Sequence, residues 1–232
     1  MPSMLEIYKH YSDNYDQLVH AEDWQQNLPA LLHKLVDWKG KNVYEAGIGS
    51  GRLAEMYIDD AAFCYGFDRE QHMLNACRKR LAGYSAKLQL SLGYNDSLPD
   101  IDVRTDVFIE GWSFGHTIAD YEDDVRGITS RILESVYRRL GGTGQMLIIE
   151  SLGTNVLQPM LSRESFIVFF DLLENSYGFT KHVIRTDYMF DTVGEAVDIM
   201  GFFFGEKMKS DIVDSGLCVI PEFTGIWYAD LG

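Results

Sequence analysis

The sequence predicts an α/β fold built on a mostly parallel sheet. Two patterns predict it: short apolar runs alternate with helical patterns, and the first run ends at a glycine-rich turn. Parallel strands need crossover helices between them, so this alternation is typical of such a sheet. A chain of 232 residues with 46% hydrophobic content can bury one large core. We therefore expect a single domain over residues 1–232.

The first segment, residues 1–40, is predicted to be helical. Ser3 and Glu6 fit a capping box, and leucines recur at helical spacing between Leu28 and Val36. Residues 42–152 then alternate strands and helices. We predict strands at 42–46, 62–67, 87–92, 105–110 and 144–150, and helices at 51–58, 70–82 and 122–140.

The last segment, residues 153–232, is predicted to complete the sheet and to contain the substrate-side helices. We expect a helix at 162–176, a strand at 180–188, and a helix that Thr192 and Glu195 cap and that runs to about 214. A final strand is predicted from Leu217 to Ala229. The helix between these last two strands is an insertion that carries three consecutive phenylalanines, and we expect it to line an acceptor pocket.

The turn after the first strand predicts a nucleotide-cofactor loop. Gly47, Gly49 and Gly51 stand at alternate positions, where glycine lets the backbone approach a ligand closely. A dinucleotide fingerprint would place its third glycine where Arg52 stands. Glu45 would repel a pyrophosphate and attract the cationic amino-acid group of S-adenosylmethionine. The loop therefore favours S-adenosylmethionine over NAD.

This stretch resembles motif I of the class I S-adenosylmethionine-dependent methyltransferases, Glu/Asp-x-Gly-x-Gly-x-Gly. Asp68 follows the next strand at ribose-carboxylate spacing, and the residues from Asp68 to Leu74 resemble the family pattern Asp-x-Ser-x-x-Met-Leu, with Glu70 in place of the hydroxyl residue. Residues 93–99 resemble Gly-Asp-Ala-x-x-Leu-Pro, although Tyr94 and Asn95 replace Asp-Ala. The motifs cover residues 42–152.

The resemblance implies a Rossmann-like sheet of seven mostly parallel strands, with helices on both faces and the helical N-terminal lid. It implies methyl transfer to O, N or S of a small-molecule acceptor, with release of S-adenosylhomocysteine. The cofactor-binding residues predicted on this basis are Glu45, Gly47, Gly49, Gly51, Asp68, Arg69, Met73, Asn95, Asp96, Glu110 and Tyr15.

Catalytic and substrate residues, Ser113 among them, are predicted near the ends of the fourth and fifth strands, where open α/β sheets bind ligands. His116 is a candidate base, with a structural hydrogen bond as its alternative. Glu110 can line the cofactor or bind a cationic acceptor, or it can cap the next helix; Glu150 is similar. The substrate candidates are Trp112, Tyr11, Arg185 and Phe203. Arg185 lies in a polar cluster with Asp187 and Tyr188, and its alternative role is a structural salt bridge.

Composition limits the partners. A formal net charge of -15 makes nucleic acids and anionic membranes unfavourable. Three dispersed cysteines fit no disulfide framework, and no export signal or membrane span is visible, so we expect a cytoplasmic protein. The histidines form no metal-binding pattern. Two other functions stay open: a nicotinamide-dependent oxidoreductase, and a catalytically silent cofactor-binding regulatory protein.

Overall fold

The structure is a computed structural model that describes residues 12–161 and 163–232, with side chains from residue 17 onwards. The predictions for Ser3, Glu6 and Tyr11 lie outside the described residues. Tyr15 lies on the first described helix, and its side chain is also outside the described part.

Nine α-helices and nine strands occur in the described residues. The helices are α1 (Ser12–Ala21), α2 (Asn27–Leu35), α3 (Arg52–Tyr57), α4 (Gln71–Arg80), α5 (Phe114–Asp120), α6 (Val125–Leu140), α7 (Glu164–Asp171), α8 (Val193–Phe204) and α9 (Glu206–Ser215). The strands are β1 (Asn42–Ala46), β2 (Phe63–Asp68), β3 (Leu88–Leu92), β4 (Val107–Gly111), β5 (Gln145–Thr154), β6 (Thr180–Arg185), β7 (Tyr188–Met189), β8 (Val219–Ile220) and β9 (Glu222–Asp230). None of these helices is long and apolar enough to cross a membrane.

Seven strands form one sheet in the order β3-β2-β1-β4-β5-β9-β6. The pairs β1/β2, β1/β4, β2/β3 and β4/β5 are parallel. The predicted fold class, a Rossmann-like sheet of seven mostly parallel strands with helices, is confirmed. The strand order reverses between β1 and β4. Open α/β sheets bind ligands in a crevice at such a point.

Three predicted elements are divided in the structure. The helix expected to run to about 214 breaks at Gly205, whose φ of 88° ends α8 before α9 begins. The final strand is interrupted by Pro221, which has no N–H for a strand ladder and separates β8 from β9. The strand predicted at 180–188 divides into β6 and β7, and β7 pairs with β8 in a separate antiparallel sheet.

The connections at the ends of β4 and β5 also differ from the sequence-based assignment. Helix α5 was not predicted, because Phe114–Asp120 is short and contains Gly115. The helix predicted at 162–176 comprises α7 and a π-helical turn, Leu172–Ser176. Glu174 on that turn accepts a hydrogen bond from the indole of Trp227 at 3.0 Å.

The chain divides into two compact units. One comprises residues 31–150, 161–183 and 225–232 and contains β1–β4 with the glycine-rich loop. The other contains the described residues 12–30 with 151–160 and 184–224, and β5, β6 and β9 each have residues in both. The core of the second unit is formed by Leu18, Tyr188, Phe190, Ala196, Met200, Phe203, Met208, Ile212 and Ile220. The predicted division into lid, cofactor core and substrate side stays a prediction.

Candidate functional site

The glycine-rich loop after β1 depends on left-handed backbone conformations. Gly47, Gly49 and Gly51 have φ values of 63°, 56° and 86°, which side chains with a Cβ rarely adopt. At Gly47 a Cβ would also overlap the Cβ and Oγ of Ser113. The loop is closed by the N–H of Ile48, which donates to Phe67 O at 2.9 Å. The loop that follows β1 therefore has three positions that need glycine.

Asp68, the last residue of β2, is bonded directly to this loop. Its Oδ2 accepts from Gly49 N at 3.0 Å, and its Oδ1 accepts from Glu70 N at 2.8 Å. Burial raises the pKa of Asp68, and the two N–H groups oppose that shift. Each oxygen keeps a lone pair for a further donor.

Two other predicted cofactor residues lie on the segment that follows Asp68. Met73 is buried on α4, and its Cε lies 3.4 Å from the position of a Cβ on Gly49. It therefore packs against the loop. The Nη1 of Arg69 lies 3.8 Å from Oδ2 of Asp120, in an exposed ion pair.

Glu45 lies on β1 with its side chain in the core. Its Oε2 accepts a short hydrogen bond from the hydroxyl of Tyr57, which also lies 3.3 Å from the Sγ of Cys64. Burial raises the pKa of Glu45 to about 8. The carboxyl is therefore mostly protonated at neutral pH. Its role toward a cofactor ammonium group stays a prediction; the contact that the structure shows is with Tyr57.

Asn95 is held by the turn that follows β4. Its Nδ2 donates to Ser113 O and Oγ, both at 3.2 Å, and to Thr117 Oγ1 at 3.0 Å. Its Oδ1 is buried and has no partner among the described residues. Both oxygens of Asp96 are engaged, by Tyr121 at 2.8 Å and Ser97 at 3.4 Å. Asn95 therefore offers a buried acceptor beside this turn.

Two buried carboxyls hold the first turn of α5. Glu110 Oε2 accepts from Ser113 N at 3.2 Å and Phe114 N at 3.1 Å, and Glu150 Oε1 accepts from Gly115 N at 2.5 Å. Burial and the neighbouring Glu150 raise the pKa of Glu110 well above its usual value. Burial raises the pKa of Glu150 to about 8. Both side chains cap the helix, which is the structural alternative that the sequence left open.

Trp112 and His116 flank this turn. Trp112 has a φ of 55°, unusual for a bulky side chain, and the Arg52 guanidinium lies 4.4 Å from its ring centroid. Burial lowers the pKa of His116, and the positive charges of Arg69 and Arg163 lower it further. The imidazole is therefore neutral at physiological pH, the form in which histidine accepts a proton.

The remaining substrate candidates belong to the second unit. Arg185 forms a two-pronged ion pair with Asp187, at 2.7 and 2.6 Å, and lies 4.9 Å from the ring centroid of Phe223. Phe203 is buried in the core of that unit, whereas Phe204 is 38% exposed. Their roles toward an acceptor stay predictions.

The residues of the first unit fit an adenosyl ligand. The glycine loop supplies a tight left-handed turn, Asp68 offers carboxylate lone pairs beside it, and Asn95 offers an acceptor that lacks a donor. Ser113 connects Asn95 to the loop, because its Oγ lies 3.5 Å from Ala46 O and its Cβ excludes a side chain at Gly47. No group of three or more His, Cys, Asp or Glu side chains in the described ranges is arranged to hold a metal ion.

Sequence reasoning missed two contributors, Arg52 and Thr117, whereas Ser113 was among the candidates predicted at the end of the fourth strand. Arg52 was noted only as the residue that breaks a dinucleotide fingerprint, and its stacking on Trp112 joins two loops that are distant in sequence. Ser113 and Thr117 have the i, i+4 spacing of one helical face, which is a usable signal only after α5 is recognised.

Comparison with solved structures identifies the fold. A putative methyltransferase from Bacillus halodurans has a TM-score of 0.56 at 14% identity over 89% of this chain and 99% of that chain. The phosphoethanolamine N-methyltransferase 2 of Haemonchus contortus, solved with phosphomonomethylethanolamine and S-adenosylhomocysteine, has 0.53 at 17% identity over 89% and 52%. The [4+2]-cyclase SpnF has 0.52 at 16% identity over 90% and 83%.

No protein family profile matches the sequence, and no curated protein matches it. At these low identities the similarity concerns the fold. The strand order, the glycine loop after β1 and the solved neighbours agree, and the chain has the fold of the class I S-adenosylmethionine-dependent methyltransferases.

Proposed function

We propose that this chain transfers a methyl group from S-adenosylmethionine to O, N or S of a small-molecule acceptor and releases S-adenosylhomocysteine. The observation that carries the proposal is the joint geometry of the loop and two polar side chains. Asp68 is bonded to Gly49 N at 3.0 Å, and the unpartnered Oδ1 of Asn95 is tied to the same loop through Ser113.

These residues have distinct binding roles in the proposal. Asp68 accepts the ribose hydroxyls with the lone pairs that its backbone partners leave. Asn95 Oδ1 accepts a hydrogen from the adenine amino group. A buried acceptor without a donor costs free energy until a ligand supplies one, so this atom favours the bound state. Met73 packs beside the loop, and Arg69, Asp96 and the N-terminal Tyr15 remain proposed contributors.

When bound, S-adenosylmethionine supplies an electrophilic methyl group on a sulfonium with a good leaving group. The chain then needs to orient an acceptor and exclude water. Neutral His116 takes the acceptor proton in this proposal, and Trp112 provides an apolar wall. Glu110 is a positioning residue because its carboxyl is occupied by the first turn of α5.

The acceptor is proposed to be a small molecule. The net charge of -15 opposes binding of a polyanion, and long-range repulsion of this kind acts before any specific contact forms. Tyr11, Arg185 and Phe203 are the further proposed acceptor contacts, and the cytoplasm is the proposed compartment.

Calorimetric binding tests the proposal directly. Wild-type protein is titrated separately with S-adenosylmethionine, S-adenosylhomocysteine and NAD⁺, and then incubated with labelled S-adenosylmethionine and a panel of small alcohols, amines and thiols. We expect both adenosyl ligands to bind, NAD⁺ not to bind, and label to appear in an acceptor class. Binding of NAD⁺ alone would favour an oxidoreductase. Adenosyl binding with no transfer to any acceptor would favour the silent regulatory alternative.

A further inference from the structure

The amide of Asn95 is oriented by the Ser113 carbonyl, which can only accept a hydrogen bond. Its Nδ2 faces three oxygens: Ser113 O at 3.2 Å, Ser113 Oγ at 3.2 Å and Thr117 Oγ1 at 3.0 Å. The carbonyl of Ser113 can only accept, and Ser113 Oγ directs its own hydrogen toward Ala46 O at 3.5 Å. A flipped amide would place Oδ1 against the Ser113 carbonyl, which has no hydrogen to donate, and would lose that hydrogen bond.

This orientation decides which chemical group Asn95 presents to a ligand. An asparagine side chain is a donor at one end and an acceptor at the other, and the two ends have nearly the same shape. Because Ser113 and Thr117 occupy the donor end, the buried end is Oδ1, a pure acceptor. A carboxylate at this position would also accept, but it would face the Ser113 carbonyl without a hydrogen to donate.

We propose that Ser113 and Thr117 are specificity-determining residues that fix the Asn95 amide and so select a 6-amino purine over a 6-oxo purine. This inference rests on the proposed function, because it takes Asn95 to face the adenine. The two residues act through Asn95 and are positioning residues. Their own position is set by Glu110 and Glu150, which accept the N–H groups of Ser113, Phe114 and Gly115.

The selection follows from hydrogen-bond polarity. The exocyclic amino group of adenine is a donor and pairs with Oδ1, whereas the 6-oxo group of hypoxanthine is an acceptor and leaves two buried acceptors face to face. A site with a buried polar group rejects a ligand that leaves the group unpaired more strongly than it rewards a ligand that pairs with it. Loss of the Ser113 and Thr117 hydroxyls leaves the Ser113 carbonyl as the remaining acceptor of Nδ2, so the amide rotates toward either purine more readily.

The test measures a ratio of affinities. S-adenosylhomocysteine and S-inosylhomocysteine are titrated calorimetrically into the wild type, Asn95→Ala, Thr117→Ser, and the double variant Ser113→Ala with Thr117→Val. We expect the wild type and Thr117→Ser to prefer the adenosyl ligand by about tenfold or more. The double variant and Asn95→Ala should lose most of that preference. A general loss of stability would weaken both ligands alike and leave the ratio unchanged, and circular dichroism confirms that each variant is folded.

Three results would overturn the inference. One is a double variant that keeps the wild-type ratio although Asn95→Ala loses it. Another is a wild type that binds S-adenosylhomocysteine without preferring it to the inosyl ligand. In both cases the proposed function stands. If the wild type binds neither ligand, the proposed function itself fails, and the inference fails with it.

Discussion

The loop after β1 and the turn after β4 lie at the same edge of the sheet, since β1 and β4 are parallel neighbours and Ala46 is in register with Glu110. The first is shaped by residues without side chains, which reach left-handed conformations at little cost. The second contains a tryptophan in the same left-handed region and is held by two buried carboxyls. The conformation of the first loop thus depends mainly on residues within it, whereas the second also needs Glu150, which lies 35 residues from Gly115 in sequence.

This difference has an energetic counterpart. The left-handed glycines of the first loop do not titrate, and the carboxyl that contacts them is Asp68, which accepts from Gly49 N. The turn after β4 is held by Glu110 and Glu150, whose pKa values are raised by burial. Its stability is therefore linked to proton binding.

The largest expected effect is a loss of fold stability in Gly47→Ala. A left-handed conformation costs an alanine about 1–2 kcal/mol, and the overlap with Ser113 adds roughly 1–3 kcal/mol. Gly40→Ala is the matched control, because Gly40 has a φ of 72° with open space around its Cβ position. Urea unfolding should show the larger loss for Gly47→Ala. Equal losses would mean that the loop does not depend on its contact with Ser113.

Asp68→Ala should weaken S-adenosylhomocysteine by about 1.5–3 kcal/mol, because a charged acceptor for two hydroxyls is lost. Asp60→Ala, at an exposed carboxylate near the opposite end of β2, is the control. Calorimetry measures both. If the two variants bind equally well, Asp68 shapes the loop through Gly49 and does not contact the ribose.

Glu150→Gln should change how stability depends on pH. The pKa of Glu150 in the folded state is about 8, above its unfolded value of 4.5, so the folded protein binds the extra proton between these limits. Proton binding by this carboxyl therefore makes stability fall as pH rises from 4.5 toward 8, and the glutamine variant removes that contribution, up to about 1.4 kcal/mol per pH unit. Glutamine still accepts the Gly115 N–H.

Denaturant unfolding at pH 5 to 9 measures this effect. Glu55→Gln, at an exposed carboxylate on α3, should reproduce the wild-type curve. A slope unchanged by Glu150→Gln would contradict the assignment of a proton to this carboxyl.

The smallest effect is expected at Trp112. Both Trp112→Ala and Trp112→Gly lose the stack with Arg52, but only glycine relieves the left-handed strain. Thermal and urea unfolding should therefore find the glycine variant more stable than the alanine variant by about 1 kcal/mol. Equal stabilities would mean that the turn relaxes once the indole is removed.

The sequence was sufficient for features that depend on neighbours in the chain. The spacing of Gly47, Gly49 and Gly51 predicts their backbone conformations, and the alternation of strands and helices predicts the sheet. Thr192 was expected to cap a helix, and its Oγ1 accepts from Glu195 N at 3.1 Å. In each case the physical cause acts over a few residues.

The rest depends on contacts between distant segments. Glu150 caps a helix 35 residues away in sequence, and Asn95 is held by Thr117 at a separation of 22. Glu45 points into the core, where it accepts a hydrogen bond from Tyr57. The residue type of Glu45 alone does not predict this contact. Such pairings can be identified only from the tertiary structure. Residue type alone does not show whether a carboxyl caps a helix, binds a ligand or takes part in catalysis.

The backbone amide of Gly115 can report the charge on the buried carboxyl of Glu150 in an NMR experiment. Its nitrogen lies 2.5 Å from Glu150 Oε1, so the chemical shift of that nitrogen should follow the charge on the oxygen as pH is varied. Its rate of exchange with deuterated water should report how often the first turn of α5 opens. A single backbone resonance can thus follow both the proton and the motion of the turn on which Asn95, Trp112 and His116 depend.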